Sequence, residues 1–322
     1  MKPLRRTNAQ AARLLSLVFI LISLNAVSGL AQQNQEATAQ APPSSSVGGD
    51  NSVMLRVTVT DSQRHYVKGL TRANFAVFDG KQEQQIKAFS DSDEPLSVGI
   101  LFDASSSVKS KRLKFVRDAL ARFFQLSNPS NEYFVVTFND KIKMLQDWTS
   151  DVESILKSLD TIQPIENTRL FDACHVGVAK VLTGQHQRHV LILLSDGQDN
   201  DSKRSFAQLR RLLEETDVLL YSVGLLVTDD PGSSLGLEGQ AILDELASTT
   251  GGVAFFPSKA KETDVIFERI ANELHNQYSI SFTPTVIDGK RHKLKLRVTP
   301  LPYTPREMQK LTVRSRMTFY TK

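Results

Sequence analysis

From Val53 onward the apolar residues fall into short runs separated by polar, turn-rich segments. In VMLRVTVTD, residues 53–61, Val53, Leu55, Val57 and Val59 alternate with polar neighbours, the period of two of a half-buried strand. FAVFDGKQEQQIKAF, residues 75–89, reads as two strands around Asp79-Gly80, because glycine takes the positive φ of a hairpin turn without steric cost. At the other end, YSISFTP (278–284) and HKLKLRV (292–298) flank a second Asp-Gly, Asp288-Gly289, and RMTFYT (316–321) adds a further run. Three or so strands expose too much apolar surface to stand alone. The pattern therefore predicts that segments 53–92 and 279–322 pack into one β-sandwich-like unit, discontinuous in sequence. Two separate β-appendages are the alternative.

Residues 95–278 have a different rhythm. The buried runs LSVGILF, YFVVTF, HVLILL, VLLYSVGLL and GVAFFP alternate with helical patterns, the signature of an α/β domain with a doubly wound, mainly parallel sheet. KIKMLQDW is expected as an antiparallel edge partner of YFVVTF around Asn139-Asp140. SKRLKFVRDALARFFQL spaces Leu113, Val116, Leu120 and Phe123/Phe124 along one helix face and stops at Ser127-Asn128-Pro129. RLFDACHVGVAKVL, SFAQLRRLLEE, AILDELAS and DVIFERIANELHNQY supply the other crossover helices.

The first 31 residues carry Lys2, Arg5, Arg6 and Arg13, then the apolar LLSLVFILISL, then small residues. That is the plan of a secretory signal peptide, residues 1–31, with cleavage expected after Ala31. The apolar segment is short for a membrane span, although an uncleaved N-terminal anchor is the other reading of the same residues. Residues 32–52, rich in Gln, Ala, Pro, Ser and Gly, read as a disordered linker. The leader holds four of the 39 basic residues and no acidic one, which leaves 35 basic against 35 acidic residues. A mature chain near neutrality has no general drive toward nucleic acid or anionic membrane. A single cysteine, Cys174, excludes an internal disulfide framework and any cysteine-rich zinc site. The expected location is periplasmic or extracellular, with no membrane span once the leader is removed.

Oxygen side chains gather where the buried runs end. Asp103, Ser105 and Ser107 follow LSVGILF, Thr168 lies in a loop ahead of a helix, and Asp196 follows HVLILL. All three segments fall at the same end of parallel strands, where open α/β sheets collect ligands. Two carboxylates with three hydroxyls and neither His nor Cys form a hard oxygen donor set, suited to Mg²⁺ or Mn²⁺. Each segment alone has a plainer use: Ser107 or Thr168 as a helix cap, Asp196-Gly197 as a turn. Asp172 reads as a helix-start residue, Asp199 and Asp201 as a solvated turn, His186 and His189 as surface residues rather than zinc ligands, and Cys174 as a small buried side chain.

Taken together, Asp103-x-Ser105-x-Ser107, Thr168 and Asp196-Gly197 resemble the metal-ion-dependent adhesion site of the von Willebrand factor A domain family. The flanks, with VKGLTRANFAVFDGKQEQQIKAF before the domain and QYSISFTPT and DGKRHKLKLRV after it, are similar to the bacterial VWFA-related proteins well represented in acidobacteria. The resemblance implies that Ser105 and Ser107 bind the metal directly, Thr168 directly or through water, and Asp103 and Asp196 mostly through water. It further implies a protein partner that supplies an Asp or Glu to the metal, and a binding module with no catalytic residues. Lys109, Lys111 and Arg112 beside the motif depart from that plan by adding positive charge. The competing function is a metal-dependent hydrolase or phosphoryl-transfer enzyme using the same carboxylates. No nucleophile elbow, Ser-His-Asp order or phosphate-binding glycine loop accompanies them.

Overall fold

A computed structural model of the chain describes residues 51–105, 110–162, 167–225, 233–259, 261–302 and 310–321. The signal-peptide reading of 1–31, nearly all of the linker reading of 32–52, and Ser107 lie outside the described residues. The strands are β1 (Val53–Thr60), β2 (Phe75–Asp79), β3 (Gln82–Gln84), β4 (Ile86–Ser90), β5 (Leu96–Asp103), β6 (Glu132–Phe138), β7 (Ile142–Thr149), β8 (Arg188–Ser195), β9 (Leu219–Gly224), β10 (Ala254–Phe255), β11 (Tyr278–Phe282), β12 (Arg291–Val298), β13 (Thr312–Arg314) and β14 (Thr318–Tyr320). The helices are α1 (Ser110–Leu126), α2 (Val152–Leu159), α3 (Leu170–Val181), α4 (Phe206–Glu215), α5 (Ser234–Thr250) and α6 (Glu262–His275).

The central sheet has the order β10-β9-β8-β5-β6-β7. Its pairs are parallel except for β7, which returns antiparallel along β6 through the Asn139-Asp140 turn. β5 is buried along its whole length, as is β6. Apolar residues therefore line both faces of β5 and are covered from both sides. Val98, Ile100 and Phe102 pack with the buried faces of α1, α2 and α6, while Leu101 packs with α3, α4 and α5. This is the doubly wound α/β domain that the alternation of buried runs and helices implies.

The flanks build two further sheets, β13-β1-β11-β4 and β14-β12-β2-β3. Each interleaves strands from both ends of the chain: β1 pairs with β11, and β12 with β2. Leu55, Val57, Phe75, Val77, Ile280, Phe282, Leu294 and Phe319 form one shared core between them. Gly80 takes φ +57 in the β2–β3 turn. β4 leaves its hairpin neighbours after Gln84 and joins the other sheet, so FAVFDGKQEQQIKAF forms three strands rather than two.

The alternation in β1 predicts a wet polar face, and the structure differs. Arg56 and Thr58 are as buried as their apolar neighbours, 8% and 3% exposed. Arg56 donates to the carbonyl of Gln187 at 3.1 Å and to the Ser279 hydroxyl, and Thr58 donates to Glu273 at 3.3 Å. The polar face of β1 packs against the α/β domain, and Gly48–Lys322 form one compact unit. Among the described residues no helix is long and apolar enough to cross a membrane.

A second polar cluster stitches the β12 sheet. His292 is placed between Asp79, 2.7 Å from Nδ1, and Asp288, 2.9 Å from Nε2. The hydrogen bond to Asp288, with help from Asp79, holds the imidazole above its ordinary value, and the same contact pushes Asp288 down to about 2. The stabilisation by His292 is complete below about pH 6.5, its unfolded value, and disappears as pH rises through the elevated folded value. Urea unfolding of the wild type is expected to lose stability relative to His292→Gln as pH rises above about 6.5 and through the raised folded value. Parallel pH profiles for the two proteins would remove this cluster from the account of stability.

Candidate metal centre

Asp103 closes β5 and is fully buried. Its Oδ1 accepts the amide of Ser105 at 2.9 Å, and its Oδ2 accepts the hydroxyl of Ser195, the last residue of β8, at 2.6 Å. The Ala104 amide donates to the carbonyl of Phe138 at 2.8 Å, so the chain keeps its pairing with β6 one residue past the strand. Extended backbone sends alternate side chains to one side, which puts Ser105 on the side of Asp103. Ser105 is 4% exposed.

Asp196 follows β8 immediately and is more open than Asp103. Its Oδ1 accepts the Gln198 amide at 2.9 Å, and Gly197 turns the chain with φ +83. The Gly197 amide donates to the Ser195 hydroxyl at 3.1 Å, so Ser195 joins Asp103 to the Asp196 loop. Thr168 is 4% exposed and follows Asn167, itself at φ +72. Its amide donates to Asn200 Oδ1 at 2.9 Å, and its carbonyl accepts the amides of Asn200 and Asp201 at 3.1 and 3.2 Å. The Arg169 amide donates to the Asn139 carbonyl at 3.0 Å. The Thr168 loop is thereby fastened to the Asp196 loop on one side and to the β6–β7 turn on the other.

The structure thus brings the segments of Asp103, Ser105, Thr168 and Asp196 to one edge of the sheet; Ser107 is outside the described residues. Burial pushes the Asp103 carboxyl up to about 6, with a further upward push from the neighbouring Asp196 charge. Among the described residues, no Lys, Arg or His forms an ion pair with either carboxylate. Nor does any group of three His, Cys, Asp or Glu side chains form a denser metal cage there. Two adjacent carboxylates, one of them buried and neither cation-paired among the described residues, with hydroxyls beside them, fit a divalent cation held by few charges.

The surrounding acidic residues serve as clamps. Asp172 lies in the first turn of α3 and accepts the amides of Lys203 and Arg204 at 3.0 and 3.1 Å. Burial alone would raise its carboxyl, but these amides and the Arg204 guanidinium hold it below the usual range. Asp199 and Asp201, expected in a solvated turn, are instead engaged. Asp199 accepts the Phe171 amide at 3.2 Å and the Ser202 hydroxyl at 2.5 Å, and Asp201 pairs with Arg169 at 2.6 Å. His186 binds the Ser130 carbonyl and His189 faces Asp217, both at or before the start of β8 and far along the strand from Asp196. Cys174 is fully buried, and burial raises its thiol far above the ordinary value. Sequence reasoning misses Ser195 and Asn200 and gives Asn139 only as part of a turn; the position of Ser195, a hydroxyl ending an apolar run, is the one hint of its role.

Two glycines set the position of Asp196. A Cβ on Gly239, in α5, would meet the Asp196 carbonyl oxygen at 2.2 Å, and one on Gly197 would meet the Gly239 carbonyl at the same distance. Gly239→Ala must push α5 off the Asp196 loop. The expected cost is about 1–3 kcal/mol in urea unfolding. An unchanged unfolding midpoint would show that the loop tolerates the shift.

An α/β domain with an oxygen-donor set at the carboxyl ends of its central strands is the class these features define. A family model, von Willebrand factor type A domain, matches residues 97–269, and the chain belongs to that family. No curated protein matches the chain in sequence. Among solved structures, the chain is similar to the PilB minor pilin of Streptococcus sanguinis at 12% identity and a TM-score of 0.45, covering 58% of this chain and 63% of the pilin. It thus spans less than two thirds of that protein. The von Willebrand factor domain of the type V pili tip protein Mfa5 of Porphyromonas gingivalis is similar at 12% identity and a TM-score of 0.47, over 56% of this chain and 94% of that one. Proximal thread matrix protein 1 of the mussel byssus, solved with a zinc-occupied MIDAS motif, is similar at 20% identity and a TM-score of 0.46, over 61% and 49% of the two chains.

Proposed function

We propose that this protein is an extracytoplasmic, metal-dependent protein-binding module rather than an enzyme. The observation that carries the reading is the pair Asp103 and Asp196 at the sheet edge, adjacent and without a cationic partner among the described residues, with Ser105 against Asp103 and the Thr168 loop fastened to the Asp196 loop. Asp103, Ser105, Ser107, Thr168 and Asp196 would hold Mg²⁺ or Mn²⁺. A bound cation would offer an open coordination position to an Asp or Glu of a partner protein. The chain's own contribution is to place and fix the donors: Ser195 orients Asp103, Asn200 fastens Thr168, and the Gly197–Gly239 contact seats Asp196. The basic leader followed by an apolar segment supports export.

The test is a melting-temperature series in Mg²⁺, Mn²⁺, Ca²⁺ and EDTA on the wild type and Asp103→Ala, followed by partner capture with and without the effective cation. A ligand at about 100 times its Kd stabilises the native state by about 2.7 kcal/mol, so a used site raises the melting temperature of the wild type by several degrees and leaves Asp103→Ala unmoved. Equal responses in the two proteins would overturn the assignment. Phosphoester or peptide turnover lost on Asp196→Ala would overturn the binding-module reading.

A further inference from the structure

A cavity of about 570 Å³ opens between β1, β13 and α6, elements that contribute no residue to the metal centre. Its charged lining is three arginines, Arg64, Arg269 and Arg314, against two glutamates, Glu268 and Glu273. The glutamates are already engaged. Glu273, 1% exposed, is bound by the Arg314 guanidinium, the Tyr221 hydroxyl at 2.6 Å and the Thr58 hydroxyl at 3.3 Å. Glu268 faces Arg122 at 3.7 Å. Arg269 lies over the Phe255 ring, 5.3 Å from its centroid, and hydrogen-bonds the Tyr66 phenol. Neither Arg64 nor Arg269 pairs with a carboxylate among the described residues. The cavity therefore carries an excess of positive charge directed at solvent, in a volume within the range of small-molecule sites.

The backbone adds an independent observation. Arg64 adopts φ +68, a left-handed conformation that glycine takes freely and a longer side chain takes at a steric cost. The turn that imposes it is firmly built: Asp61 Oδ1 accepts the amides of Gln63 and His65 at 2.8 and 2.9 Å, and the Asp61 carbonyl accepts the Arg64 amide at 3.1 Å. Glycine or asparagine would satisfy this turn. The backbone does not call for an arginine there, and Arg64 lies on the cavity wall.

We propose that this cavity is an oxyanion site. It takes a small organic molecule through a carboxylate or phosphate group, which Arg64 and Arg269 hold, with the hydroxyls of Thr60 and Thr312 as further donors at the wall. Guanidinium groups bind both kinds of oxyanion through paired N–H donors.

The experiment is calorimetric titration of the full chain with inorganic phosphate and, separately, with citrate, each against sodium chloride at matched ionic strength. Saturable one-to-one binding of either anion, with no counterpart for chloride, is expected, and the preferred anion identifies the group. Hydrogen bonds between charged partners contribute enough that losing one guanidinium weakens binding about ten- to a hundredfold, so Arg64→Gly and Arg269→Ala should each do so. Arg64→Gly keeps the turn and relieves its left-handed residue, so its melting temperature should be at or above that of the wild type. A loss of binding in that variant cannot be ascribed to unfolding. Asp103→Ala should bind the anion as the wild type does. Absence of saturable binding for both anions, equal binding of chloride, or affinity unchanged by both arginine substitutions would overturn the proposal.

Discussion

Asp103→Asn is expected to reverse its rank against the wild type when a divalent cation is added: as stable or more stable in EDTA, less stable in Mn²⁺. The wild-type carboxylate is buried, next to Asp196, and ionised at neutral pH only at a cost. Its displacement from 3.8 to about 6 corresponds to roughly 3 kcal/mol at pH 7. An amide of the same shape removes that charge and still accepts one of the two present hydrogen bonds. The other, from the Ser195 hydroxyl, must rearrange, which returns part of the gain. A net gain of about 1–2 kcal/mol in EDTA follows. In Mn²⁺ the wild type acquires the stabilisation of the bound cation, about 2.7 kcal/mol at a hundredfold excess over Kd, and the variant acquires little of it. Urea unfolding curves in the two media measure both terms. An Asn variant that is less stable than the wild type in both media by the same amount would mean that Asp103 is a structural acceptor for Ser105 and Ser195 and holds no cation.

Such an inversion would be the thermodynamic mark of a site in which local stability is given up for function, and the framework of that proposed site is legible in the sequence. An apolar run that gives way to Asp, directly in β5 and after Ser195 in β8, breaks its own pattern at the point where a ligand would be met. Asp103, Ser105 and Asp196 were visible for that reason, and Thr168 through its place ahead of a helix. The groups that aim them were not. Ser195 and Asn200 act on residues 92 and 32 positions away, and hydrophobic periodicity reports which face a residue takes, not which distant loop meets it. The same limit accounts for β1. Alternation there is real, but the polar side faces Glu273, Gln187 and Ser279, and the sequence alone does not distinguish water from a polar protein surface. Helix α2, eight residues with Ile155, Leu156 and Leu159 inward, is not among the helices that the pattern predicts. Its start is set by Asp151, whose carboxylate accepts the amides of Glu153 and Ser154.

The largest loss of stability from a single change outside the apolar core is expected at Glu273, in the middle of that polar contact. Its Oε1 accepts from Tyr221 on β9, Thr58 on β1 and Arg314 on β13, so one carboxylate oxygen joins the α/β domain to the flanking sheet. On the helical pattern of DVIFERIANELH it looks like an ordinary polar position, yet it is 1% exposed. Glu273→Ala leaves a largely buried guanidinium and a fully buried phenol without their shared acceptor. Breaking one side of a buried ion pair costs about 3–5 kcal/mol. Glu273→Gln keeps an acceptor for the two hydroxyls and loses only the charge, so about 1–2 kcal/mol is expected. Replacing both partners, Glu273→Ala with Arg314→Met, removes the stranded charge and should recover at least 1 kcal/mol of the single-site loss, a coupling that a double-mutant cycle in urea reads directly. Trp148 on β7, packed edge-to-face against Phe134, reports the α/β domain in fluorescence, while circular dichroism reports both parts. With Glu273 intact the two signals should unfold together. If the single and double variants lose equal stability, the joint is held by the apolar contacts around it and not by this carboxylate.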